Sequence, residues 1–272
     1  MSKIHVSAII EDGAKIADDV EIGPFCIIGP KVTIGSGSKL YSNIKIIGNT
    51  TIGKNNQFHH CTAIGDFAQD TTNPPDDRPV IIGDNNVFRE YNTVHRPAKE
   101  DSTTIGSDNY FMIGAHIAHD CKVGNHIYIA NYTSLGGHVH LNDYAYLSAN
   151  IGIHQFCHIG QYAMIGACSK VAQDVPPFTM GQGTTVVANG LNIVAMKRAG
   201  FNAQQRMLVK RIFKVMFVEK LPFTKAKKII EEDIYAEVKN DIALLKVINL
   251  YIDFFKNMTR GIISYAASPK KN

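Results

Sequence analysis

None of the five cysteines (Cys26, Cys61, Cys121, Cys157, Cys168) is paired in a C-x-x-C spacing, so neither a disulfide framework nor a zinc knuckle follows from them. The opening residues, MSKIHVSAII, lack the long apolar core of a signal peptide, and no stretch reaches the length needed to cross a bilayer. The expectation is a cytoplasmic protein without stable membrane insertion. Charge of one sign is also scarce. A net charge of +4 over 272 residues is compatible with an acidic partner or an anionic substrate, and far too weak for nucleic acid. Basic residues do thicken after Lys197, with Lys210, Arg211, Lys214, Lys225, Lys227 and Lys228 in quick succession. They read either as a solvated helix face or as a docking surface for an acidic protein.

What is abundant is a repeat. An aliphatic or aromatic residue recurs at every sixth position from Ile4 through Ile28, Ile46 and Phe58 to Ile64. A short second run holds Ile82, Phe88 and Val94, and a third goes from Ile105 through Ile117, Leu135 and Ile153 to Val171. Gly often follows the apolar position, as in Ile22-Gly23, Ile34-Gly35 and Ile105-Gly106. A period of six fits neither an amphipathic helix nor a coiled coil, and as a multiple of two it keeps one strand face inward. Gly- and Asn-rich corners supply the turns. The expected fold is an all-β, left-handed parallel β-helix with one hexapeptide per side, each strand pairing with the coil above and below at about 4.8 Å.

The register breaks at 70–80 (DTTNPPDDRPV) and at 95–104 (HRPAKEDSTT), both polar and proline-containing, which predicts loops thrown out from the coil. After Val171 the repeat ends at Val175-Pro176-Pro177. Residues 1–190 therefore form one domain, and 191–272 a helical one. Helices are predicted over Ala203–Val218 with Asn202 as N-cap, over Thr224–Val238 and over Asp241–Met258. Open ends and flat sides imply oligomerisation, and folds of this class commonly form homotrimers.

A coil of three hexapeptides is about 18 residues long, so residues that far apart stack. His119 then lies above Gly137 and Gln155, Asp120 above His138, and Ala118 above Gly136 and His154, with His116 just before the same corner. Exposed turns are polar anyway, and a lone histidine there would say little. Several stacked histidines beside a carboxylate indicate a site. No Ser or Cys pairs with them as a nucleophile, and Cys121 holds a position that is apolar in other coils. His126, His140 and His158 fall elsewhere in the register and read as surface residues. A histidine beside a carboxylate suits general-base work on a hydroxyl, and the N–H of Gly137 could approach an oxyanion closely. Together these parts describe direct acyl transfer.

The segments IGPFCIIGP (22–30), AHIAHDCKVGN (115–125), LGGHVHL (135–141), HQFCHIG (154–160) and SKVAQDVPP (169–177) resemble the UDP-N-acetylglucosamine O-acyltransferases, which open lipid A synthesis. KRAGF (197–201) and FF…TRGI (254–262) extend the resemblance nearly end to end. It implies a cofactor-free homotrimer moving a 3-hydroxyacyl chain from acyl carrier protein to the 3-hydroxyl of UDP-GlcNAc. It also implies that His119 is the general base, Asp120 its orienting partner and Gly137 the oxyanion donor. Asp70, His116, His138, His154 and Gln155 match substrate-contacting positions, Asn192 and Arg198 residues near the nucleotide phosphates. Met164 and Ala167 match the floor that measures acyl length, where Ala167 in place of glycine implies an intermediate chain. Departures are Val194 where an acid is common, Ala199 where a second arginine is common, and the region of Thr72, where a lysine is common. They leave open a sugar bearing a 3-amino group. A zinc-dependent carbonic anhydrase of the same coil is a further class, but the 116/119 spacing does not match its ligand pattern. The N-acyltransferase of the same pathway carries an extra domain ahead of the coil, for which hexads starting at Ile4 leave no room. A CoA-dependent acetyltransferase fits the helical tail less well than a carrier-protein enzyme, whose acidic partner the basic helices would suit.

Overall fold

The computed structural model describes residues 3–71 and 77–266; Thr72 and the adjoining part of the first polar break lie outside them. Short strands wind into a parallel solenoid of three sheets. Sheet A starts at Lys3–Ile4, sheet B at Ile9–Ile10 and sheet C at Lys15–Ile16, with 11, 9 and 8 strands respectively. The register follows the hexads: Ile22 pairs with Leu40, Ile28 with Ile46, and Ile117 with Leu135 and then Ile153. The strands are two to five residues long because each hexapeptide spends the rest of its length turning a corner.

The sixth-position residues fill the axis. From Ile22 to Val171 they are at most 4% exposed, and each such side chain contributes about 1.5–3 kcal/mol of burial. Phe58, Phe88 and Phe111 stack along the axis at 4.9 and 4.7 Å between rings. Ile4, by contrast, is 41% exposed, on the first coil of the described residues. Across the two polar segments the coil keeps its cross-section and only the step changes. Gln57 pairs with Val87, and Val87 with Tyr110, so the segments are extra chain on one edge rather than breaks in the core. The second is narrower than its composition suggests, since His95 ends strand Thr93–His95 and Thr103 begins strand Thr103–Ile105.

Past the hexads, Thr179–Gln182 adds to sheet A and turns back antiparallel as Val187–Leu191, a hairpin that the six-residue period does not announce. Helices follow at Ile193–Arg198 (α1), Ala203–Phe213 (α2), Phe223–Lys228 (α3), Tyr235–Val238 (α4) and Ile242–Asn257 (α5), with wider π turns at Lys214–Val218 and Ile229–Ile234. Asn202 and Gln205 form a reciprocal capping box on α2, and Asp241 caps α5. A second apolar cluster, with Met196, Val209, Ile212, Val247, Tyr251 and Phe254, closes the end of the coil. The closing TRG segment is tied down by Asp174, whose carboxylate accepts N–H bonds from His158 (2.7 Å), Thr259 and Arg260 (both 2.8 Å). No described helix is long and apolar enough to cross a membrane.

Candidate active site

The corner between sheets B and C gathers the polar cluster. Strand His116–Ile117 ends on sheet B, strand Lys122–Val123 begins sheet C, and His119 and Asp120 make the turn between them. Asp120, His138 and Phe156 occupy the same place on successive coils, all with left-handed backbone (φ 62°, 59° and 66°). The His138 ring lies flat on Phe156, 4.4 Å between centres, and edge-on to His119 at 5.5 Å. The ring of His119 lies over Gly137: a Cβ there would come within 2.4 Å of His119 Cε1 and 2.7 Å of Nε2. Only a residue without a side chain lets the imidazole rest against that backbone. The N–H of Gly137 makes no hydrogen bond among the described residues.

Asp120 is fully buried, and its carboxylate has its own cradle. Oδ1 accepts the backbone N–H groups of Ala98 (3.0 Å), Lys99 (3.0 Å) and Glu100 (2.8 Å), while Oδ2 faces His119 Nδ1 at 2.6 Å and His138 Nε2 at 3.3 Å. Its own N–H donates to Thr103 Oγ1 (2.8 Å). Burial works to raise its pKa, but the His119 bond and the Lys99 and Glu100 amides outweigh it and hold the carboxyl below the ordinary range. A carboxylate is thus fixed beside His119 Nδ1, which directs the ring's proton to that nitrogen and leaves Nε2 as the free lone pair. His138 is pushed toward the neutral form, chiefly by burial.

His116 sits at the end of its strand with Nδ1 bonded to Thr93 Oγ1 (2.8 Å), and burial presses its pKa down to about 4. Edge-on to it at 5.1 Å is His95, a residue that stacking by coils misses because the step across the second loop is not eighteen. His95 is 8% exposed, with a buried Nδ1 that has no partner among the described residues, and burial lowers its pKa too. His154 and Gln155 are exposed two coils further on, the ring of His154 leaning on the Gln155 carbonyl at 3.1 Å. Asp70 leaves the same edge two coils earlier, in the loop after strand Ala63–Asp66.

The other candidate residues stand elsewhere on the prism. Asn192 caps α1 through Ala195 N–H (3.1 Å) and donates to the Tyr162 carbonyl (3.0 Å), which places it and exposed Arg198 at the corner between sheets C and A. Met164 faces outward on sheet A, and Ala167 is exposed at the corner between A and B. A single chain does not bring these four to His119. Cys121 is buried, its thiol pushed up to about 12 mainly by desolvation, and so is no nucleophile. His158, expected at the surface, is 4% exposed because α5 lays Phe254 over its ring at 5.0 Å.

His119, Asp120 and His138 have donor atoms within 4.8 Å of one another, close enough to suggest a metal. The chemistry of the set is otherwise. Three amide N–H dipoles already point at Asp120 Oδ1, and they would repel a cation there. Of the basic run, Arg211 forks onto Glu237 (2.5 and 2.8 Å), and Lys214, Lys227 and Lys228 pair with Glu219, Glu231 and Glu232.

A hexapeptide solenoid with a buried carboxylate behind a partly buried imidazole is the build of an acyltransferase of the hexapeptide class, and the six-repeat bacterial transferase hexapeptide family matches residues 102–137. Residues 174–263 match the second domain of UDP-N-acetylglucosamine O-acyltransferase. The solved UDP-N-acetylglucosamine acyltransferase of Francisella novicida is 39% identical over 96% of this chain and 94% of its own, with a TM-score of 0.90. LpxA of Acinetobacter baumannii is also 39% identical over 96% and 99%, at 0.90, and the Arabidopsis enzyme 32% identical over 96% and 100%, at 0.80. The chain belongs to the UDP-N-acetylglucosamine O-acyltransferase family.

Proposed function

We propose that this protein transfers a 3-hydroxyacyl chain from acyl carrier protein to the 3-hydroxyl of UDP-GlcNAc, the first step of lipid A biosynthesis, in the cytoplasm and as a homotrimer of left-handed coils. The observation that carries the reading is the His119 Nδ1–Asp120 Oδ2 bond of 2.6 Å, which leaves Nε2 to act as base beside the N–H of Gly137, unbonded among the described residues. His119 Nε2 takes the proton of the sugar hydroxyl as its oxygen forms a bond to the thioester carbonyl. The Gly137 N–H donates to the resulting oxyanion. Collapse breaks the carbon–sulfur bond, and the imidazolium returns its proton to the departing thiol. Asp120 stays ionised throughout and stabilises the imidazolium.

His116, His138, His154, Gln155 and Asp70 contact the sugar nucleotide from the same edge. Asn192 and Arg198, near the nucleotide phosphates, and Met164 and Ala167, at the acyl floor, lie on other edges, which supports a site completed by a neighbouring subunit. Carrier protein docks on the helical tail. Of the basic run there, Lys210 and Lys225 are in no ion pair among the described residues and are available to it. Val194, 58% exposed on α1, favours one second reading, in which the acceptor carries a 3-amino group.

The test is to incubate purified protein with UDP-GlcNAc and a ladder of 3-hydroxyacyl carrier proteins, with His119→Ala alongside. Transfer by the wild type, lowered in kcat by at least about 10²-fold in the variant, is expected. No transfer to UDP-GlcNAc but transfer to its 3-amino analogue selects the second reading. Failure with both acceptors overturns the acyl-transfer reading.

A further inference from the structure

Two peptide groups separate a guanidinium from the Asp120 carboxylate. Arg78 Nη2 donates to the Ala98 carbonyl at 2.7 Å, and Nη1 donates to the carbonyls of Lys99 and, at 2.9 Å, Glu100. The Ala98 carbonyl shares its peptide unit with the Lys99 N–H, and the Lys99 carbonyl shares its unit with the Glu100 N–H. Both N–H groups end on Asp120 Oδ1, at 3.0 and 2.8 Å. Cation, aligned peptide dipoles and anion therefore lie in series, a chain in which each bond polarises the next. The two loops that interrupt the hexads meet here for one purpose: the first supplies the cation and the second the amides.

We propose that Arg78 is a positioning residue for acyl transfer, holding the 98–100 peptides against Asp120 and, through Asp120, the ring of His119. The proposal rests on the general-base reading of His119. Arginine suits the task because its planar fork spans several carbonyls at once, which a lysine ammonium cannot do with the same geometry. The chain around Arg78 is pinned on both sides. The Asp77 carbonyl accepts from Asn49 Nδ2 (3.1 Å) and the Asp77 carboxylate pairs with Lys31. On the other side the Pro79 carbonyl accepts the N–H of Thr103 (3.1 Å), whose hydroxyl in turn receives the N–H of Asp120 (2.8 Å). Both ends of the Asp120 residue, backbone and carboxylate, are thus referred to the same loop.

A simple loop staple would give the same hydrogen bonds to Arg78 but would leave the base untouched, and the pH profile separates the two. The titratable groups facing His119 and Asp120 are His138, with the Glu100 carboxylate 3.5 Å from its Nδ1, and His95 and His116 on the strand side. Substituting Arg78 removes none of these groups. Without Arg78 the amides relax from Asp120, the less-solvated carboxylate holds the imidazolium of His119 more tightly, and more base is lost to protonation at a given pH. The acid limb of kcat/KM then moves to higher pH.

Arg78→Ala, Arg78→Lys and wild type should be compared across pH with UDP-GlcNAc and the preferred acyl carrier protein, with thermal melts of each. Expected are a fall in kcat of about 10- to 10²-fold in Arg78→Ala and an upward shift of its acid limb, with Arg78→Lys between it and wild type. Unchanged kcat and limb overturn the proposal. So does a fall in kcat that tracks the melting temperature with the limb in place. If Arg78→Ala does not fold, Arg78→Lys carries the same two readouts. Wild-type turnover and its loss in His119→Ala report on the function itself, whereas the ratio of Arg78 variant to wild type reports on Arg78 alone.

Discussion

His119 finds its carboxylate partner in the very next residue: Nδ1 and the Oδ2 of Asp120 lie 2.6 Å apart. Neighbours in an extended strand point to opposite faces. Here the left-handed backbone of Asp120 (φ 62°) folds its side chain back under the ring of His119, so the solenoid corner itself builds the pair.

Gly137 is held to its identity by the same ring. An alanine at 137 would place its Cβ 2.4 Å from His119 Cε1, and the ring is the group that has to move. Gly137→Ala is expected to lower kcat by about 10²-fold while leaving the coil intact, since the backbone there is not left-handed. Kinetics with a circular dichroism melt check this; wild-type kcat in a folded variant would contradict the placement of the ring.

His158 sets an acid limit on stability. It is buried between Asn142, bonded to its Nε2 at 2.8 Å, and Phe254 of α5, with His140 close by and the Asp174 carboxylate on its backbone N–H. Burial first, then His140, presses its pKa from 6.5 to about 4. The unfolded chain therefore binds this proton at a higher pH than the folded one. The stabilising contribution is complete above 6.5 and erodes as pH falls toward about 4. His158→Gln should flatten the loss of Tm between pH 7 and about pH 5; parallel Tm–pH curves for variant and wild type would show that another group controls it.

Ala167 is exposed at the A–B corner, near Met164 of sheet A. If the acyl chain ends there, as the family resemblance implies, removing the methyl deepens the floor. Ala167→Gly should then shift the preferred 3-hydroxyacyl chain to a longer one in a competition among carrier proteins. An unmoved optimum would separate this position from the ruler.

Much of this was readable from the chain in advance because the hexad is a purely local code. Ile22 through Ile64 and Ile105 through Val171 alternate inward by period alone, and the constant step then stacks His119 on Gly137 and Asp120 on His138. Asn202 announced its helix as a cap, whereas Asp241, expected as the first residue of the last helix, is its cap. His158 was misplaced because its burial comes from α5, which packs on sheet C from a distant part of the chain, and no periodicity records that contact.

The sequence by itself determined the solenoid, its axis and the corner at which histidine and carboxylate meet, since each depends on residues a fixed number of positions apart. Only the tertiary structure decided that the amides of Lys99 and Glu100 hold Asp120, that Arg78 stands behind them, and that His95 is set against His116. Those contacts lie across irregular insertions, where the step is no longer constant and the partner of a group is set by how two loops fold against each other.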